Sequence, residues 1–98
     1  MQPVIDKLIH EPARFQIMAQ LYVVESADFL FIMRQTDLTF GNLSSHISKL
    51  ENAAYVTVKK EFKEKKPSTM LKLTPKGRKA FDEYRKEMKN ALKMPWFP

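Results

Sequence analysis

The sequence predicts a mainly α-helical domain with one small β-hairpin, and three observations carry that expectation. Apolar residues recur three and four positions apart along most of the 98-residue chain, the spacing that gathers them on one side of a helix. From Tyr55 the period drops to two, with Val56 and Val58 sharing a face of one strand and Leu71 and Leu73 a face of another. Residues that start helices stand where the pattern changes: Pro12, Thr39 and the pair Thr74–Pro75. With 44% hydrophobic content, residues 1–98 read as a single domain whose core is adequate but thin, so burial between subunits would add to it.

Val4, Ile5, Leu8 and Ile9 have helical spacing, which predicts a short helix from near Pro3, interrupted at His10–Glu11–Pro12. Pro12 suits the first position of a second helix running to about Glu25, with Phe15, Met18, Leu21 and Tyr22 on one face. Ser26, Ala27 and Asp28 mark a break, and Phe29 to Gln35 reads as a short helix that is apolar almost all round. A turn over 36–39 leads to a helix at about 39–53, capped by Thr39. In it Leu43, Ile47, Leu50 and Ala54 face a core, Asn42, Ser45, Ser48 and Lys49 point away, and His46 lies on the boundary.

The hairpin spans about 55–74. Its connection KKEFKEKKPST, at 59–69, is expected to be long and mobile, with Pro67 ending regular pairing. A last helix, about 75–93, would be about 27 Å long and carries Phe81, Tyr84, Met88, Ala91 and Leu92 as an apolar stripe. In the closing MPWFP, Trp96 and Phe97 are expected either to pack on apolar helix surface, at a dimer interface or against residues 29–33, or to fray.

Charge points to the partner. The chain carries a net charge of +6, and residues 59–66 alone hold five lysines against two glutamates. A helix that follows a short turn and presents an outward polar face fits the major groove of duplex DNA, and lysines on a neighbouring hairpin suit the phosphate backbone. Catalysis has no footing. Ser44, Ser45 and His46 are adjacent but point about 100° apart on a helix, and no nucleophile elbow, phosphate loop or carboxylate pair occurs. The two histidines lack metal-site spacing. The absence of cysteine excludes disulfides and thiolate metal sites. No enzyme activity and no cofactor are expected. No signal-peptide pattern opens the sequence, and no run nears the roughly 18–20 apolar residues that span a bilayer. A cytoplasmic protein without a membrane partner is therefore expected.

The stretches LIHEPARFQIM (8–18), LTFGNLSSHISKLENAAYV (38–56) and KPSTMLKLTPKGRKAF (66–81), with the closing helix, resemble the MarR-like winged-helix transcriptional regulators, especially their small single-domain members. The resemblance implies a winged helix-turn-helix that dimerises through its N- and C-terminal helices. By position it makes Thr39, Asn42, Ser44, Ser45, His46 and Lys49 candidate DNA contacts on the recognition helix, and Lys63, Lys65 and Lys66 candidates on the wing. Ile5, Leu8, Ile9, Phe81, Tyr84, Met88 and Leu92 become dimer-interface candidates. Two departures stand out. Relatives usually carry glycine where this chain has Ala54, so either Ala54 is strained by about 1 kcal/mol or the helix ends differently. Leu30, Phe31 and Met33 replace the polar residues usual before the turn, which predicts an exposed apolar patch.

The expected function is sequence-specific binding of double-stranded DNA by a homodimeric transcriptional regulator. The alternative is a protein-interaction module that uses the apolar 29–33 segment. A small-molecule effector is compatible with the sequence, but nothing in it supports one. For His46, a phosphate contact or a hydrogen bond beside the core is preferred over base reading. His10 reads as a cap or packing residue. Gly77 suits a close helix start, and Arg78 either shares that role or reaches phosphate.

Overall fold

The computed structural model describes residues 4–95. Seven elements follow in the order α1 (Pro12–Val24), β1 (Ser26–Asp28), α2 (Phe29–Thr36), α3 (Phe40–Asn52), β2 (Val56–Lys63), β3 (Lys66–Leu73) and α4 (Pro75–Ala91). The expectation for Trp96 and Phe97 lies outside the described residues.

The helix expected from Val4 does not form, because Asp6 gives the backbone a better offer. Its Oδ1 accepts the N–H groups of Leu8 at 2.9 Å and Ile9 at 3.3 Å, closing a turn instead of a helix. Ile9 still reaches the core and is fully buried. α1 starts at Pro12, and the Glu11 carboxylate caps it by accepting from the Arg14 N–H at 2.9 Å. Ile17, Met18 and Leu21 form its buried face, whereas Phe15, expected on that face, is 41% exposed.

The break at 26–28 is a strand. Ser26, Ala27 and Asp28 pair antiparallel with Lys72, Leu71 and Met70, so the sheet has three strands in the order β1-β3-β2. Asp28 then caps α2 by accepting from the Leu30 N–H at 2.7 Å. Most of α2 is absorbed by the core. Phe29 and Ile32 are buried, Phe31 and Met33 are half-buried against them, and Leu30 alone of the expected patch is largely open. Asp37, with φ of 57°, ends the helix in the left-handed region.

Thr39 caps α3 as expected, accepting from the Asn42 N–H at 3.2 Å, and Leu43, Ile47 and Leu50 are buried beneath it. Past the helix Ala54 takes φ of 62°, the left-handed conformation for which glycine is the better residue. The strained branch of the expectation holds.

The hairpin departs from expectation. β2 and β3 stay in register from Val56↔Leu73 out to Lys63↔Lys66, and only Glu64 and Lys65 turn the chain. Both have positive φ, 51° and 65°, as the tight hairpin turn that matches strand twist requires. Pro67 does not end the pairing; it stands opposite Phe62. Alternation along the ladder turns its nitrogen toward the outer edge of β3, where β1 has already ended, so no hydrogen bond is lost.

The root of this hairpin is clamped to α4. The Thr74 hydroxyl accepts from the Gly77 N–H at 2.8 Å and donates to the Ala54 carbonyl at 2.6 Å. A Cβ on Gly77 would lie 2.1 Å from the Tyr55 carbonyl oxygen, so only glycine lets α4 start this close. From that start α4 buries Phe81, Tyr84 and Ala91.

Candidate nucleic-acid interface

α3 and the hairpin lie side by side, with a groove between them lined by Phe40, Ser44 and Ser48 from α3 and by Val58, Lys60 and Thr69 from the strands. Asn42, Ser45, Ser48 and Lys49 are exposed along the outer side of the helix, and Ser44 is half-buried at the groove. Thr39 is exposed too, but its hydroxyl oxygen is engaged as the cap.

His46 belongs to a separate arrangement. Arg14 Nη1 donates to its Nδ1 at 3.1 Å, and Glu11 Oε2 lies 3.9 Å from its Nε2. Because arginine can only donate, Nδ1 is the acceptor and the neutral ring carries its proton on Nε2, toward Glu11. Arg14 is fixed in turn by donating from Nε to the Leu8 carbonyl at 2.6 Å. Partial burial works against ionising Glu11. The N–H groups of Arg14 and Ala13 and the nearby Arg14 charge outweigh it and hold the carboxyl below its usual range. His46 therefore ties α3 to the start of α1.

On the hairpin, strand parity sorts the lysines. Lys63 and Lys66 form a cross-strand pair on the face shared with Lys59, Met70 and Lys72, and Lys65 sits in the turn. Lys60 lies two residues beyond Val58 and shares its face, which adjoins α3. It was missed among the candidates, although the alternation that begins at Val56 was signal enough to find it. The outer face is braced by the Ser68 hydroxyl, which donates to Asp28 Oδ2 at 2.6 Å and, ahead of the backbone N–H groups of Leu30 and Phe31, draws that carboxyl below its usual range.

The dimer candidates divide. Ile9, Phe81 and Tyr84 are already covered within the chain itself. Leu8, Ile5 and Met88 are half-buried and Leu92 is 68% exposed. Met88, Leu92 and Phe15 line an open apolar groove beside α4. His10 packs as expected, its Nδ1 2.8 Å from the Tyr84 hydroxyl. Arg78 is occupied within the chain, donating to the Tyr22 carbonyl at 3.3 Å with its guanidinium 4.7 Å from the Tyr22 ring. Among the described residues, no cluster of three or more histidines and carboxylates could hold a metal ion, and no helix is long and apolar enough to cross a membrane.

A helix with a free polar face, seated after a short turn and flanked by a basic two-stranded wing, defines a winged-helix nucleic-acid-binding domain. The chain belongs to the winged helix DNA-binding domain family, whose model matches residues 13–92. An uncharacterized protein of Methanocaldococcus jannaschii is 37% identical over 78 residues, covering 80% of this chain and 85% of that protein. The solved structure of a transcriptional regulator homologue from Pyrococcus horikoshii superimposes with a TM-score of 0.83 over 91% of both chains, at 29% identity. A MarR-family transcriptional regulator from Silicibacter pomeroyi shares the fold, with a TM-score of 0.63 at 19% identity, over 91% of this chain and 63% of that one. The resemblance read from the sequence and the winged-helix fold therefore stand.

Proposed function

We propose that the protein is a transcriptional regulator that binds specific sequences in double-stranded DNA as a homodimer. α3 would lie in the major groove of each half-site, with the wing on the adjacent backbone. The observation that carries this is the continuous exposed face Asn42–Ser45–Lys49 beside a hairpin whose lysines leave the body of the molecule on a fully paired arm. Membership of a DNA-binding family and similarity to regulator homologues support the same reading.

Within it the roles divide by chemistry. Asn42 can pair an adenine edge in two places, Ser45 and Lys49 supply adaptable contacts, and Lys60, Lys63, Lys65 and Lys66 neutralise phosphates. Thr39 and His46 position α3 rather than read bases. The protein-interaction alternative loses part of its support, because Phe31 and Met33 are half-buried against the core and only Leu30 of the expected patch is largely open.

Selection of bound duplexes from a random pool tests the proposal. Two related half-sites about one helical turn, or roughly 34 Å, apart are expected. Asn42→Ala should relax preference at one base pair per half-site, at a cost of roughly 1–3 kcal/mol for a bidentate contact. Enrichment of no sequence, or equal loss of affinity for specific and random DNA, would contradict base reading.

A further inference from the structure

One residue on the wing serves none of the roles above. Phe62 is 75% exposed, among the most open of the large apolar side chains in the described residues. It carries no charge to offer a phosphate, fills no core, and sits amid five lysines where a polar residue would cost nothing. Its position is specific. The register places it opposite Pro67, one pair before the tight turn, so two apolar side chains share one face at the far end of the arm. That face is the one carrying Val58 and Lys60, which adjoins α3. Four residues beyond Val58, at about 3.3 Å each, Phe62 projects roughly 13 Å past the edge of the core.

Resting on the DNA-binding reading, we propose that Phe62, backed by Pro67, is an apolar wedge that enters the minor groove beside each half-site and opens a base step there. Three features fit this occupant. The surrounding lysines disfavour a second basic wing and select a polyanion. The polyanion must also offer apolar surface, and duplex DNA does so where bases are partly unstacked. Proteins that bend DNA open such steps with Phe, Leu or Pro side chains. The arm is paired up to its two-residue turn, so little order has to be gained on binding. Because pyrimidine–purine steps unstack most readily, the wedge also becomes a specificity determinant: it favours such a step under the wing without a hydrogen bond to any base.

The test uses the full chain and a selected duplex carrying 2-aminopurine, whose fluorescence rises on unstacking, at successive positions outside the half-sites. Wild-type protein should raise the signal at one position per half-site, where selection has enriched a pyrimidine–purine step. Phe62→Ala should abolish that rise and weaken binding on the order of tenfold. Its dependence of affinity on salt should match wild type, because no charge has been removed. Phe62→Leu should keep part of both effects, and thermal unfolding of both variants should stay near wild type, since the side chain is exposed. A wild-type complex that forms without any rise overturns the wedge but leaves DNA binding intact. So does a Phe62→Ala complex that raises the signal as wild type does. If Phe62→Ala instead flattens the salt dependence, Phe62 only positions lysines and the wedge is again refuted. Failure of the wild type to bind any duplex would remove both proposals.

Discussion

Tyr55 shows how much one side chain holds together. It stands at the turn from α3 into the hairpin, and its hydroxyl donates to Asp6 Oδ2 at 2.6 Å, tying the N-terminal segment to the root of the wing. Burial, then the hydrogen bond to Asp6 and the negative charge there, pushes its pKa from 10.0 up to about 12. The folded state keeps a proton that the unfolded chain releases, so this contribution is complete below pH 10 and is lost as pH climbs toward 12. Tyr55→Phe should lower stability by about 1–2 kcal/mol at neutral pH, through the lost hydrogen bond. It should also reduce the fall in stability between those two pH values, as measured by denaturant unfolding at each pH. An undiminished alkaline fall would place its cause elsewhere. At this scale the sequence was partly legible. Asn42, Ser45 and Lys49 could be placed on the outer face from helical angle alone. The binding of His46 to Arg14 and Glu11 could not, because the three meet only after α1 and α3 pack.

Among the elements, the hairpin root is the most constrained junction. Gly77→Ala drives a Cβ into the Tyr55 backbone and should cost about 2–4 kcal/mol, because backbone has nowhere to yield. Ala54→Gly should do the reverse and stabilise by roughly 0.5–1 kcal/mol, since Ala54 occupies a left-handed conformation. Thermal unfolding reads both, and a stabilised Gly77→Ala would mean that α4 does not start against Tyr55. The longer helices were legible because their caps and periodicity agree. β1 was not: three residues, Ser-Ala-Asp, offer one buried side chain and no alternation, and the strand exists only because β3 has an edge to fill. The N-terminal segment misled in the opposite way. Its apolar spacing suits a helix, but the local hydrogen bonds of Asp6 decide otherwise. The long strands of the wing were hidden by a charged composition and by Pro67, whose edge position only the register reveals.

For the whole molecule, the open groove of Phe15, Met88 and Leu92 beside α4 is the apolar surface a second subunit would cover. Sedimentation should give a dimer at micromolar concentration, and Leu92→Glu should shift it toward monomer without unfolding the chain. A stable wild-type monomer would end the expectation of paired half-sites. α3 and the basic wing are proposed to grip duplex DNA together. The slope of log affinity against log salt on a selected duplex tests this grip most directly. A linear fall of about 0.9 per phosphate contacted is expected. Neutralising Lys60, Lys63, Lys65 and Lys66 together should flatten it by up to about four contacts' worth while the preferred sequence stays the same. A slope that those substitutions leave unchanged would contradict a wing on the backbone, and affinity insensitive to salt would contradict DNA binding by this face altogether.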